Sequence, residues 1–289
     1  MFDELDNEDK IRGIEGDQDF YSSHLPRGYL SVSQVTQYLK CSEAYKRRYI
    51  NGETCPASTF IVQGRGVHKA AESLHISMMS GTPLSTDEMQ TIYSDSHDRE
   101  IVDAVVTEDE EDPPGVVKDA GIRMTTQYRQ GALGELRHPD TGAAYEPIKP
   151  IAAERIMRVM LRPANSDPIP FMGVIDLEEE TGIADIKTKK RAASQMDADN
   201  SMQLTMYAYI TGKPVVRLDQ LVKPSKTRPA RYLRTASLRT KKETLHVVDV
   251  VAEVAEDIAA GRFRKTNPEN WWCSEKCCSY WGTCRGRTR

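Results

Sequence analysis

The stretch "GVIDLEEETGIADIKTKK", residues 173–190, constrains the fold more than any other part of the chain. Two runs of alternating residues flank "EETG" (179–182), and this pattern predicts a β-hairpin with a tight turn. Strand side chains alternate between the two faces of a sheet, so Asp185 and Lys187 share one face. With that turn, Asp176 faces Asp185 at a Cβ separation of about 5 Å, where like charges destabilise a sheet.

Two facing carboxylates are well placed to share a divalent cation, because Mg²⁺ and Mn²⁺ favour oxygen ligands. The same register pairs Glu178 with Ile183. Lys187 projects beside the two acids, where it could orient a water molecule or stabilise charge on a phosphate. The spacing alone also allows a solvent-exposed hairpin in which Lys187 only pairs with an acid.

Periodicity and composition divide the chain into four predicted ranges. They are an acidic flexible arm (1–25), a helical region (26–145), an α/β core (146–265) and a cysteine-rich segment (266–289). Helical periodicity is present over 30–50, 64–81, 84–135, 202–212 and 241–261, with an acidic loop "TEDEEDPPG" interrupting the third of these. Strands are predicted over 151–163, 171–179, 182–190, 214–222 and 230–238. This order predicts an α/β fold with a central mixed β-sheet flanked by helices and an N-terminal helical region.

Charge is unevenly distributed along the chain. Residues 1–120 carry 11 Lys and Arg against 23 Asp and Glu, whereas the remainder carries 28 against 20. The basic half is the expected location for an anionic partner, with "KTKKR" (187–191) and "KPSKTRPARYLR" (223–234) as candidate phosphate contacts, although either can be a solvated loop. No apolar run is long enough to span a bilayer, and the acidic N-terminus is not a secretory signal, so we expect a cytoplasmic protein and no membrane partner.

Two helices carry further polar motifs around the hairpin. "GRGVHKAAE" places His68 and Glu72 four residues apart on one helical face, and "QLTMY" places Gln203 and Tyr207 on the helix after the hairpin. Together with "GVID" and "ADIK", these motifs resemble the RecB-like branch of the PD-(D/E)XK nuclease superfamily in order and spacing. The resemblance covers residues 31–289.

The resemblance implies a restriction-endonuclease-like core and a role for each matching residue. His68, Asp176 and Asp185 would bind Mg²⁺ or Mn²⁺ together with the backbone carbonyl of Ile186, and Lys187 would be the catalytic lysine. The supporting or DNA-contacting residues would be Gln203, Tyr207, Glu72, Lys189 and Lys190. The branch often has glutamate where this chain has Asp185. Simple helix packing also accounts for Gln203 and Tyr207.

Four of the six cysteines lie in the last seventeen residues, which calls for a metal explanation. Cys41 together with Cys273, Cys278 and Cys284 resembles the [4Fe–4S] cluster ligands of iron–sulfur nucleases of this branch. The spacing departs from the usual C-x2-C-x5-C, so Cys277 could replace Cys278. Zinc or free thiols are the alternatives. Cys55 has no partner in this scheme.

The resemblance implies a metal-dependent exonuclease that hydrolyses phosphodiester bonds of single-stranded DNA or DNA ends. Its setting would be phage or prokaryotic recombination, repair or replication, with recombination or replication proteins as candidate partners. One alternative is a nuclease that trims spacer precursors in CRISPR adaptation. Another is a DNA-end-binding module that no longer cuts. Cutting polarity, exonuclease against endonuclease action, the number of metal ions and the oligomeric state stay open.

Overall fold

The computed structural model describes residues 20–55, 57–102, 112–139 and 141–285. The chain forms two compact units. Unit 1 is drawn from residues 1–55, 157–173 and 241–289, and unit 2 from residues 56–156 and 174–240. Most of the expected acidic arm and the acidic half of the "TEDEEDPPG" loop lie outside the described residues. The four ranges predicted from the sequence stay predictions.

The described residues contain ten α-helices, one π-helix and five strands. The helices are α1 (Phe20–His24), α2 (Val32–Lys40), α3 (Ser42–Tyr45), the π-helix (Lys46–Ile50), α4 (Thr59–Met79), α5 (Thr86–Ile101), α6 (Pro114–Ala132), α7 (Gln195–Asp199), α8 (Met202–Thr211), α9 (Lys241–Ala259) and α10 (Trp281–Cys284). The strands are β1 (Pro150–Leu161), β2 (Ile169–Glu179), β3 (Gly182–Lys189), β4 (Val215–Val222) and β5 (Arg231–Leu238).

The five strands form one mixed sheet in the order β1-β2-β3-β4-β5. Strands β2 and β3 are antiparallel, β3 and β4 are parallel, and β4 and β5 are antiparallel. The α/β class with a mixed sheet, flanking helices and a helical N-terminal region is therefore confirmed. The crossover between the parallel strands β3 and β4 contains α7 and α8, as parallel strands require a long connection.

The predicted hairpin is present. Leu177 pairs with Ala184 and Glu178 pairs with Ile183, as expected. Strand β2 ends at Glu179 and β3 begins at Gly182, the same turn-side ends as the predicted strands 171–179 and 182–190. The back of the hairpin is apolar and buried.

The core of unit 2 lies between the hairpin and helices α4, α5 and α6. Leu177, Ala184 and Ile186 from the hairpin pack in one buried cluster with helical residues that include Val67, Ala70, Leu74, Met89, Tyr93, Met124 and Tyr128. Burial of each of the larger apolar side chains stabilises the folded state by about 1.5 to 3 kcal/mol. The packing fixes α4 against the sheet, which matters because α4 carries His68.

Helix α4 begins earlier than the sequence predicted. It starts at Thr59, so Gly64 and Gly66 lie inside the helix rather than before it. A Cβ atom at Gly66 would lie 3.0 Å from the Tyr93 ring. This glycine therefore allows close contact between α4 and α5, and does not mark a helix start.

In unit 1, the helix predicted over 30–50 is broken at Cys41. Ser31 caps α2 by accepting a hydrogen bond from the Gln34 N–H. Cys41 then adopts an extended conformation with φ −164°. The Ser42 hydroxyl donates to the Arg264 carbonyl at 3.1 Å and accepts from the Arg264 N–H at 2.7 Å. This contact with a residue 222 positions away stabilises the break, and sequence periodicity does not encode it.

Among the described residues, no helix has the length and apolar character that crossing a membrane requires.

Candidate metal centre

The hairpin supplies two buried carboxylates. Continuing the observed register from Leu177 and Ala184 places Asp176 opposite Asp185. Asp176 is 7% exposed and Asp185 is 1% exposed. The carboxylate of Asp176 accepts a hydrogen bond from the Ile186 N–H at 2.7 Å. This hydrogen bond to the backbone of β3 holds the Asp176 carboxylate against the neighbouring strand.

Helix α4 brings His68 to Asp176. Nδ1 of His68 lies 3.5 Å from Oδ2 of Asp176 and 3.6 Å from Oε1 of Glu154. Burial alone would lower the pKa of His68, but the carboxylates of Asp176 and Glu154 outweigh burial and raise it to about 10. These three residues form a group whose ligand atoms all lie within 4.8 Å of one another.

Glu154 was not predicted. It lies on β1, and it has a φ of +46°, the only positive φ of a non-glycine residue in the described part of the chain. The sequence does contain a signal, because Glu154 is the one acid inside the otherwise apolar and basic run "IAAERIMRVMLRP". That signal does not indicate which side chains Glu154 approaches.

Lys187 is held by a chain of hydrogen bonds that ends in the buried interior. Its Nζ donates to Oδ1 of Asp185 at 2.9 Å and to Oε1 of Gln203 at 3.0 Å. The amide of Gln203 in turn donates to the Tyr207 hydroxyl at 3.1 Å. Burial raises the pKa of Tyr207, so this hydroxyl stays protonated. The arrangement fixes the direction of the Lys187 ammonium group.

The second oxygen of Asp185 receives no hydrogen bond from the described residues. This Oδ2 is buried, and the Lys187 Nζ lies 2.9 Å away but in a poor direction for a hydrogen bond. Burial raises the pKa of Asp185, against the attraction of Lys187 and with added repulsion from Asp176. A buried carboxylate oxygen without a donor costs free energy unless a cation or water binds it. The donor set of imidazole and carboxylates therefore fits Mg²⁺ or Mn²⁺.

Other predicted site residues lie elsewhere. The carboxylate of Glu72 pairs with Nζ of Lys69 at 2.8 Å. Lys189 is half-buried and Lys190 is exposed at the end of β3. Arg234, one of the candidate phosphate contacts, donates instead to the Glu146 and Gly131 carbonyls at 2.6 and 2.8 Å. Its guanidinium group is used in folding, so Arg234 is not an available phosphate contact.

In unit 1, the structure brings Cys41 close to the C-terminal cysteines. Burial raises the pKa of the Cys278 thiol, and nearby Cys41, Cys284 and Cys273 raise it further against an opposing backbone hydrogen bond. The indole N–H of Trp272 donates to the Lys40 carbonyl at 3.1 Å, directly before Cys41. The Tyr280 hydroxyl donates to the Glu53 carbonyl at 3.0 Å. These contacts fasten the C-terminal segment to the N-terminal helices of the same unit.

Cys277 and Cys55 differ from the other four cysteines. Both are exposed, whereas Cys41, Cys273, Cys278 and Cys284 are partly buried. The geometry thus favours Cys278 over Cys277 as a member of a four-cysteine group.

The hairpin of this mixed sheet carries two carboxylates and a lysine, and helix α4 brings a histidine to them, an arrangement typical of metal-dependent nucleases. The profile of the PD-(D/E)XK nuclease superfamily matches residues 29–285, and the chain belongs to this superfamily. Proteins of this superfamily are metal-dependent nucleases.

Two individual proteins show limited similarity. "Gene 69 protein" of Mycobacterium phage D29 is 35% identical over 63 residues, which are 22% of this chain and 23% of that protein. The solved structure "Crystal structure of SSO0001" is 16% identical, with a TM-score of 0.31 over 47% of this chain and 61% of that chain. The chain thus spans less than two thirds of the length of either.

Proposed function

We propose that this chain is an exonuclease that hydrolyses phosphodiester bonds of single-stranded DNA or of DNA ends with Mg²⁺ or Mn²⁺. The observation that carries the proposal is the convergence of His68, Asp176, Asp185 and Lys187 at one hairpin. Exonuclease rather than endonuclease action is supported by the resemblance of the four motifs to the RecB-like branch. The short identity with a phage protein supports a phage setting, and a role in phage or prokaryotic recombination, repair or replication rests on the resemblance to the RecB-like branch.

Each residue of the proposed site has a separate task. His68, Asp176 and Asp185 would hold the ion together with the Ile186 carbonyl. When bound, such an ion lowers the pKa of its water and neutralises charge on the phosphate. Lys187 would donate a hydrogen bond to a phosphate oxygen or orient the attacking water. Its side chain is 35% exposed, so a substrate can reach it, while Asp185 and Gln203 keep it directed.

Basic residues near the hairpin would bind the DNA backbone. Lys189 ends β3 and exposed Lys190 follows it, and exposed Lys226 and Arg228 lie in the loop between β4 and β5. Each phosphate contact releases counterions, so binding should weaken as salt rises, with a slope of log K against log salt of about −0.7 per contact for single strands. Substitution of both Lys226 and Arg228 by Ala should make that slope less negative by about 1.4 while metal binding is retained.

A digestion experiment tests the proposed activity. Linear single-stranded DNA labelled at its 5′ or its 3′ end, and a closed circle of the same sequence, are incubated with the protein and Mn²⁺ or with EDTA. We expect loss of linear DNA only, with mononucleotides or short products released from one labelled end. Degradation of the circle would show an endonuclease. No cleavage by wild-type protein that binds Mn²⁺ would favour the non-cleaving module.

We also propose that unit 1 holds a [4Fe–4S] cluster through Cys41, Cys273, Cys278 and Cys284. Their proximity supports this, as does the ordinary preference of such clusters for four thiolates. The cluster would be structural, because it would bind the C-terminal segment to Cys41 on the N-terminal side.

Anaerobic purification tests the cluster. The protein should be brown, and iron and acid-labile sulfide should be present at four each per chain. Cys278→Ser should lose most of the iron, whereas the neighbouring control Cys277→Ser should retain it. Colourless protein with stoichiometric zinc, or equal iron loss in both variants, would contradict the assignment.

A further inference from the structure

We infer that Glu154 is a ligand of the divalent cation, a role that rests on the metal site proposed above. Glu154 comes from β1, outside the hairpin and outside α4. It would add a fourth protein side chain to His68, Asp176 and Asp185. The inference is carried by distances, by the charge of the site and by the backbone conformation of β1.

The distances within the group are unsuited to hydrogen bonds. The His68 Nδ1 to Glu154 Oε1 distance is 3.6 Å and the His68 Nδ1 to Asp176 Oδ2 distance is 3.5 Å. Good N–H···O bonds are about 2.7 to 3.2 Å long. Ligand atoms at right angles around one cation, with bonds of about 2.1 to 2.4 Å, lie about 3.0 to 3.4 Å apart. A small contraction around an ion would satisfy all three groups at once.

The charge of the site also favours Glu154 as a ligand. Asp176, Asp185 and Glu154 are three carboxylates, and Lys187 is the one lysine hydrogen-bonded among them. With a neutral, ligating His68, the formal charge is −2, which one divalent cation neutralises. Without Glu154 it would be −1.

The backbone of β1 is bent to deliver this side chain. Consecutive strand residues normally point to opposite faces. Asp176 and Glu178 lie on the same face of β2. Yet the consecutive residues Glu154 and Arg155 both reach that face, since Glu154 approaches Asp176 and Arg155 pairs with Glu178 at 2.7 Å. The positive φ of Glu154 breaks the alternation so that both residues reach that face. A non-glycine residue in this region is strained, and such strain concentrates at functional sites.

Direct Mn²⁺ binding to the full chain tests the role without measuring hydrolysis. Binding is followed by electron paramagnetic resonance of free Mn²⁺ and by calorimetry for wild type, Glu154→Gln, Glu154→Gly and Asp185→Asn. Glu180→Gln, an exposed acid in the hairpin turn, is the matched control. We expect both Glu154 variants to raise the Mn²⁺ dissociation constant at least tenfold and the control to leave it unchanged.

The glycine variant separates a ligand from a structural role. Glycine accepts a positive φ without strain, so Glu154→Gly should have a melting temperature in EDTA at or above that of Glu154→Gln. Its Mn²⁺ affinity should nevertheless be as low. If Glu154→Gln binds Mn²⁺ like wild type while Asp185→Asn does not, Glu154 is not a ligand and the proposed site stands. If wild type itself does not bind Mn²⁺, the proposed site and this inference both fail.

Discussion

Replacing Asp185 by asparagine should stabilise the metal-free protein while removing its response to metal. Asp185 is 1% exposed, and one of its carboxylate oxygens receives no hydrogen bond from the described residues. Burial raises its pKa from the usual 3.8 to about 6. A carboxyl group whose pKa is higher in the folded than in the unfolded state destabilises the folded state when it is ionised. The ionised Asp185 therefore destabilises the folded protein at neutral pH.

The size of the effect follows from the pKa. A rise of about two pKa units corresponds to about 3 kcal/mol at 1.36 kcal/mol per unit. In Asp185→Asn, Lys187 no longer has a charged carboxylate to contact, and the one amide oxygen can accept only one of the two Lys187 contacts. Part of the stabilisation gained by removing the buried charge is therefore lost. We expect a net gain of about 1 to 3 kcal/mol at pH 7.5. At about 2 to 4 °C per kcal/mol, the melting temperature should rise by about 2 to 12 °C.

The assay is thermal and urea unfolding in EDTA at pH 7.5 and at pH 4, with exposed Asp249→Asn as the control for an acid-to-amide change. The free-energy cost of ionised Asp185 is fully present above pH 6 and disappears as the pH falls towards 3.8. The difference in unfolding free energy between wild type and Asp185→Asn should therefore shrink at pH 4. Mn²⁺ should raise the melting temperature of wild type and not of Asp185→Asn. A metal-free Asp185→Asn variant that is less stable than wild type at pH 7.5 would show that the ionised Asp185 does not destabilise the folded state.

Two other predictions concern the core of unit 2. His75 is buried against the Tyr128 hydroxyl, and burial lowers its pKa to about 4. The neutral, buried His75 therefore costs no folding free energy above pH 6.5, and the free energy of unfolding falls by about 3 kcal/mol as the pH drops from 6.5 to 4. His75→Gln should remove that part of the acid sensitivity in urea titrations. An unchanged pH profile would contradict this. A Cβ atom at Gly131 would lie 2.1 Å from the buried Tyr232 ring. Gly131→Ala should thus cost about 1 to 3 kcal/mol despite better helix propensity, and equal or greater stability in urea would contradict this.

Much of the fold and most of the candidate site followed from local patterns. The hairpin register was predictable because two residues in the turn and strict alternation leave one pairing that buries Leu177 and Ala184. The contact of Lys187 with Asp185 follows from a spacing of two on one strand face. The helical spacing of Gln203 and Tyr207 predicts that they share a helix face, and they are hydrogen-bonded.

What the sequence did not predict depends on contacts between distant segments. The break at Cys41 is held by Arg264, and no local signal marks it. Glu154 joins the site through a strained backbone in β1 that alternation argues against. Arg234 looked like a phosphate contact by charge, yet its donors bind the carbonyls of Glu146 and Gly131.

The proposed function places the catalytic site of a metal-dependent DNA nuclease at the hairpin around Asp176 and Asp185. Its most direct test is the rate of Mn²⁺-dependent hydrolysis of labelled linear DNA by Lys187→Ala, with exposed Lys242→Ala as the control. We expect Lys187→Ala to bind Mn²⁺ but to hydrolyse DNA at least about 100-fold more slowly than wild type, and Lys242→Ala to match wild type. Equal hydrolysis by wild type and Lys187→Ala would contradict it.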